Sequence, residues 1–298
     1  MRSLFYSFFV PALFVWLWST GFIGAKYGLP FAEPFTLLLI RMLLTLVLLA
    51  VLARVMKTRW PGWRGARHLA VTGLLVHGCY LGGVYYAIQG GMASGIVSLI
   101  VGLQPLVTAV AAVVFLKESV STRQWLGLTL GLAGVALVLL EKFGASGAGS
   151  GFSPWSLLWV VFSLAGISMG TVYQKRHGTG ADLVAGTLIQ YAAAATFFAI
   201  GAFTLETRDV EWSLQLQLSM AWLVCGVSVG AILLLMWLIR QGAASQVASL
   251  FYLVPPVTAL QAFILFDERL GGLAMAGGLV AITGVALVVT ERKPALVR

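Results

Sequence analysis

The stretch Gly134–Lys142, GVALVLLEK, returns at Gly284–Arg292 as GVALVVTER, 150 positions later. Nine residues recurring with conservative changes mark an internal duplication, and a repeat constrains the fold before any local propensity does. Working outward at the same offset, Leu103/Leu253, Pro105/Pro255, Val107/Val257, Thr108/Thr258, Ala109/Ala259, Glu118/Glu268 and Gly127/Gly277 also match. Slightly upstream the offset becomes 151, pairing Ala93/Ala244, Ser94/Ser245, Ser98/Ser249 and Leu99/Leu250, so the first copy holds one extra residue around Gly102. The front parts match more weakly at 149, through Ser19/Ser168, Gly21/Gly170, Lys26/Lys175 and the similar pair Glu33/Asp182.

Composition identifies the medium in which the two copies fold. Of the 298 residues, 60% are hydrophobic and only 10% charged, whereas soluble domains carry about 25% charged residues to cover an aqueous surface. This chain cannot cover itself and must count lipid as part of its solvent. A membrane span needs about 20 apolar residues, and ten segments qualify: Ser7–Tyr27, Pro34–Met56, Leu69–Ile88, Ser94–Leu116, Arg123–Leu140, Pro154–Tyr173, Leu183–Phe203, Met220–Ile239, Ser245–Phe266 and Leu273–Thr290. The first follows Arg2 but has no small-residue cleavage site, so it reads as a retained span rather than a signal peptide.

Charge orients the spans. Of the 19 Lys and Arg, Lys26, Lys142, Arg208 and Arg269 fall on one side and Arg41 inside a span; the other fourteen fall on the side of the N-terminus. Positive residues stay cytoplasmic, so both termini are expected inside. The formal charge of +9 is then a topology signal, and no nucleic-acid partner is needed to explain it.

The chain therefore reads as an all-α integral membrane protein of ten transmembrane helices in two inverted five-helix repeats. Residues 1–143 form the first repeat, 144–151 (GASGAGSG) a flexible linker, 152–293 the second repeat and 294–298 a cytoplasmic tail. Five is odd, so the second unit enters the membrane upside down, with Glu118 and Glu268 on opposite sides. Inverted repeats make conformations open to either side similar in energy, and alternating access follows from rocking one unit against the other.

The halves and the pattern FLKESVSTRQWLGLTLGLAGVALVLLEK (Phe115–Lys142) resemble the drug/metabolite transporter superfamily, in particular its EamA type. A Glu closing the fourth span of each half and a Gly-containing fifth span ending in Gly-Val are matched by Glu118, Gly127 and Gly134, and by Glu268, Gly277 and Gly284. The resemblance implies a bacterial inner-membrane exporter of metabolites, most similar to the aromatic amino-acid exporters. It also implies that spans five and ten lie at the periphery of an eight-helix basket around a central cavity.

Polar residues inside spans should face that cavity or a partner helix. Ser94, Ser98, Val101 and Pro105 share one face of the fourth span, and Ser245, Ser249, Tyr252 and Pro256 share the corresponding face of the ninth. Pro105, Pro255 and Pro256 near mid-span permit helix breaks, and interrupted helices in corresponding positions point to a midplane site. Ser-mediated packing with tolerated prolines fits the same pattern. Arg41, seven residues inside the second span, is a candidate to hold a substrate carboxylate, or alternatively to snorkel and pair with Glu33. Trp16, Ser19, His77, Tyr80, Gln104, Tyr191 and Trp237 complete the candidate substrate-binding set, which suits a neutral or zwitterionic amphipathic solute. Trp and Tyr near span ends also serve as interfacial anchors. Glu118 and Glu268 read as markers of the repeat.

Every Asp and Glu lies at or beyond a span end. Proton coupling is thus left open, with a facilitator slightly favoured and a proton-coupled drug or cation exporter the alternative. No HExxH, paired intramembrane aspartates or Walker loop is present, so an enzyme is disfavoured. Cys79 and Cys225 have no metal or disulfide spacing, and neither cofactor nor metal is implied. The sequence leaves the oligomeric state unknown.

Overall fold

A backbone in hydrocarbon has no water to bond, so each apolar run must close its hydrogen bonds within itself as a helix. The computed structural model describes residues 2–116, 121–144, 153–177, 181–241 and 250–289, and every regular element among them is helical. Ten helices follow in order. They are α1 (Arg2–Gly28), α2 (Pro34–Val55), α3 (Trp63–Gln89), α4 in two pieces (α4a, Ser94–Val101; α4b, Gln104–Leu116), α5 (Thr122–Gly144), α6 (Pro154–His177) and α7 (Leu183–Leu205). After them come α8 (Leu214–Ala221 continuing through Trp222–Ala231 and Ile232–Gln241), α9 (Val254–Phe266) and α10 (Gly272–Val289). Seven are long and apolar enough to cross a membrane, and apolar stretches of α5, α9 and α10 occupy the other three expected positions. Glu118, Ser245, Ser249, residues 145–152 of the linker region and residues 290–298 lie outside the described residues.

Local chemistry sets the ends. Pro34 opens α2, where its fixed φ suits the first turn. Asp182 caps α7 by accepting from the amides of Val184 (2.9 Å) and Ala185 (3.3 Å), and Ser213 caps α8 through Leu216 N (3.2 Å). Left-handed residues follow α2 at Lys57 (φ 51°) and α7 at Arg208 (φ 65°), corresponding positions of the two halves. The third and eighth helices start earlier than hydropathy predicts, at Trp63 and Leu214 rather than Leu69 and Met220, because polar residues in their first two turns (Arg64, Arg67 and His68; Gln215 and Gln217) lower the local hydropathy. We call the end of the bundle carrying the α1–α2 loop the upper face and the end carrying the α6–α7 connection the lower face.

The halves are interleaved. Every helix of the first half makes its most extensive contacts with helices of the second: α1 with α8 and α9, α2 with α7, α3 with α6 and α7, α4 with α6 and α9, and α5 with α10. The pairs obey the repeat, since α1–α8 corresponds to α6–α3 and α1–α9 to α6–α4. Rocking one sequence unit as a body against the other would break these contacts.

The opening nonapeptide supplies two close contacts of this kind. Gly134 lies against Gly277 and Ala281, and Gly284 lies against Gly127 and Gly131. The two contacts exchange under the 150-residue offset, so the two helices that carry the duplicated segment pack antiparallel, as inversion requires. The absence of a Cβ lets the backbones approach. The α5–α10 pair has few contacts with the other helices and sits at the edge of the bundle.

Candidate functional site

A cavity of about 320 Å³ runs from the surface at Asp182 and Leu183, on the lower face, up to Arg41 and Tyr85. Its walls come from α1 (Trp18, Gly21, Phe22), α2 (Arg41), α3 (His77, Tyr80, Leu81, Tyr85), α6 (Ile167, Gln174), α7 (Gln190, Tyr191) and α8 (Val227, Ile232, Leu235). Arg41 is only 4% exposed. Its Nη1 donates to the Tyr85 hydroxyl (3.1 Å), and its Nε and Nη2 donate to Ser228 Oγ (3.2 and 3.1 Å). A guanidinium carries five N–H donors, so some remain for a guest. Among the described residues no carboxylate pairs with it; Glu33 is engaged instead with the Thr207 amide and hydroxyl (2.7 and 2.9 Å) and the Arg208 amide (3.1 Å).

Beside Arg41, His77 shares a hydrogen bond between Nε2 and Gln190 Oε1 (3.2 Å), and its ring lies 4.6 Å from that of Tyr191. His77 and Ser228 both sit in wider, π-helical turns, Leu74–Cys79 of α3 and Trp222–Ala231 of α8, which are corresponding stretches of the two halves. Such turns displace side chains from the regular helical face and recur at functional sites. A recess of about 50 Å³ adjoins the cavity behind Trp18, Phe22, Tyr80 and Ile167 and reaches Ser98, Gln104, Pro105, Val254 and Pro255. It marks where the interrupted helices meet: α4 breaks at Gly102–Leu103, just before Gln104 and Pro105, and a Cβ on Gly102 would come within 2.9 Å of Pro255.

The structure brings Arg41, His77, Tyr80 and Tyr191 together in the cavity, with Ser98 and Gln104 in the recess. Gln104 donates to Thr171 Oγ1 (3.0 Å), and Ser98 to the Gly95 carbonyl (2.8 Å). Trp16 is not among the cavity residues: it is 47% exposed and packs edge-on against Trp222 on the outer surface. Trp18 takes the inner place, because two residues along a helix turn the side chain about 200°. Ser19 is buried between helices, donating to the Val254 carbonyl (3.4 Å), and is also absent from the cavity wall. Pro256 faces a separate apolar groove bounded by α4a, α9 and α10. For Trp237 and Tyr252 only the backbone is described.

Reading the sequence does not reach Ser228 and leaves Trp18 and Tyr85 outside the candidate set. Ser228 could have been found as a hydroxyl inside a span, and its position 151 residues after His77 was a further signal.

The upper face is closed. Glu206 accepts from the amides of Phe35 and Thr36 (both 2.7 Å), the Thr36 hydroxyl (2.8 Å) and the Tyr86 hydroxyl (2.7 Å). The α1–α2 and α7–α8 loops pair at Ala32 and Val210, with Glu211 N donating to the Phe31 carbonyl (2.9 Å). Lys26 forms an ion pair with Glu268, which also accepts from the Ser94 amide (3.3 Å) at the start of α4a. Because Lys26 is partly exposed, this pair contributes about 1 kcal/mol, or roughly a fivefold population shift. Glu268→Gln should therefore raise labelling of Ser94→Cys by an impermeant maleimide from the upper side severalfold, in a background with Cys79 and Cys225 replaced. Unchanged labelling would remove the pair from the closure.

Comparison with known proteins agrees with this architecture. The chain is 29% identical over 289 residues to the uncharacterized transporter YvbV of Bacillus subtilis, covering 95% of this chain and 91% of that one. It is 25% identical over 251 residues to the uncharacterized inner membrane transporter YedA of Escherichia coli K12, covering 84% and 79%. A probable terminal-alkyne amino-acid exporter of Streptantibioticus cattleyicolor is 26% identical over 275 residues, covering 91% and 89%. A crystal structure of another protein, 18% identical, superposes with a TM-score of 0.61 over 94% of both chains and shares the fold. Residues 5–140 and 154–290 each match the EamA-like transporter family, and a chain so matched in both halves, with its inverted helices interleaved around one cavity, belongs to that family.

Proposed function

We propose that this transporter exports small amphipathic metabolites that carry a carboxylate beside an aromatic or large apolar group, aromatic amino acids among them. The reading rests on one observation above the others: Arg41 lines the cavity, is 4% exposed, and among the described residues meets only hydroxyl partners. A buried cation without an anion is costly, so the site is completed by a guest that brings one. The aromatic wall then takes the guest's apolar part. The amino-acid exporter among the relatives supports a carboxylate-bearing cargo, and Arg41 repels a cationic drug.

The protein works by alternating access in the inner membrane with both termini in the cytoplasm, and the conformation with the upper face closed has its cavity reaching the cytoplasmic side. Among the described residues the cavity wall offers no carboxylate above Asp182 to carry a proton, which favours a facilitator. Proteoliposomes with no imposed ion gradient test this. Labelled tryptophan, phenylalanine and 3-phenyllactate, taken as a set, should enter above empty vesicles. Competition should require a free carboxylate, so phenylalanine competes whereas tryptophan methyl ester and tryptamine do not. Equal competition by the ester, or no uptake of any member, would overturn the reading.

A further inference from the structure

The charge inventory of the cavity narrows the cargo within the carboxylate class, an assignment that rests on Arg41 being the carboxylate partner. The ionisable residues lining the cavity, among the described residues, are Arg41, His77 and Asp182, beside the tyrosine hydroxyls. Asp182 is the one carboxylate, and it is held at the lower mouth as the cap of α7, accepting from the Val184 and Ala185 amides. It precedes Tyr191 by nine residues on that helix, so it stands about 13 Å below the ring that packs on His77. An α-amino acid carries its carboxylate and ammonium on one carbon. With the carboxylate on Arg41, its ammonium cannot reach Asp182.

The groups within reach are neutral. The Gln190 amide oxygen is already bonded to His77, and Tyr80, Tyr85 and Tyr191 are hydroxyls that donate as readily as they accept. A zwitterion would neutralise Arg41 and at the same time bury a second cation beside it, leaving the closed site with a net positive charge. A monoanion leaves it neutral. Burial of an uncompensated ammonium is unfavourable in a site of low dielectric. A hydroxyl or carbonyl at that carbon, by contrast, finds partners in the tyrosine hydroxyls and the Gln190 amide.

We propose that the site is built for an aromatic monocarboxylate without an α-ammonium group, of the 2-hydroxy- or 2-oxo-acid type. Carriage of such a monoanion alone moves one negative charge per cycle. The carriage of a zwitterion moves none.

The experiment uses the full-length protein in proteoliposomes and compares labelled 3-phenyllactate with labelled phenylalanine, subtracting empty vesicles. Expected is at least tenfold greater kcat/KM for 3-phenyllactate. Its uptake should rise when a potassium gradient with valinomycin makes the lumen positive, and phenylalanine uptake should not respond. Arg41→Gln, checked for an unchanged gel-filtration profile, should lose 3-phenyllactate uptake, while Arg41→Lys retains part of it. Phenylalanine carried as well as or better than 3-phenyllactate, with loss in Arg41→Gln, overturns the monoanion assignment and leaves the carboxylate reading standing. Uptake of both acids unaffected by Arg41→Gln overturns the two together.

Discussion

A single methyl group added at Gly277 is expected to destabilise the protein, and the same group added at its neighbour Gly278 is expected to stabilise it slightly. A Cβ at Gly277 would lie 2.5 Å from the Gly134 carbonyl oxygen, 3.0 Å from Leu137 Cβ and 3.1 Å from Val138 Cγ2, whereas one at Gly278 meets nothing within 4 Å. Overpacking of a tight contact costs about 1–3 kcal/mol, and here the obstacle is backbone, which cannot rotate away. Ala gains about 1 kcal/mol over Gly in a helix interior. The net effect of Gly277→Ala is then a loss of up to about 2 kcal/mol, and that of Gly278→Ala a gain of up to about 1 kcal/mol. Gly284→Ala should behave like Gly277→Ala, since its Cβ would come within 2.5 Å of the Gly127 carbonyl. Thermal unfolding in detergent, followed by tryptophan fluorescence, reads the sign. Equal shifts at 277 and 278 would mean that α5 and α10 do not meet through these glycines.

Glu206→Ala is expected to weaken the upper closure more than any other single change there. The carboxylate is 9% exposed and takes four donors, two of them amides in the first turn of α2 that no helical carbonyl can satisfy. It also places negative charge at the positive end of that helix. Each orphaned buried donor costs about 1–3 kcal/mol. Water reaches the edge of the bundle, so the low end applies and the total is about 4 kcal/mol. Glu206→Gln should recover little, because its amide NH2 would point at donors. The expected results are a lowered unfolding temperature and faster labelling of Ser94→Cys from the upper side for both variants. An unfolding temperature within error of wild type would show that Glu206 does not hold α2, α3 and α7 together.

The composition and the duplication determined much of this protein before any coordinate. The scarcity of charge required lipid, the repeat of GVALV counted the units, and an odd number of spans per unit required inversion. Pro105 and Pro255 marked where helices cannot continue, because proline lacks the amide that a helix interior needs. Arg41 stood out because a cation inside an apolar span is rare.

Which helix meets which was decided only by the tertiary structure. In lipid a span such as α2 or α7 is apolar over most of its circumference, so no hydrophobic stripe tells its inner face from its outer one. For that reason the sequence suggests Trp16 for the cavity in place of Trp18, half a turn away, and two separable units where the halves interleave. The π-helical turns of α3 and α8 re-aim His77 and Ser228, an effect invisible to a reading that assumes a constant period. Ser228 became a partner of Arg41 across 187 residues only when α8 packed against α2. Sequence thus chose the solvent, the number of spans and their inversion, because those depend on each segment's own chemistry. The site depended on contacts between segments, which small residues and unpaired polar groups settle once the helices are in place.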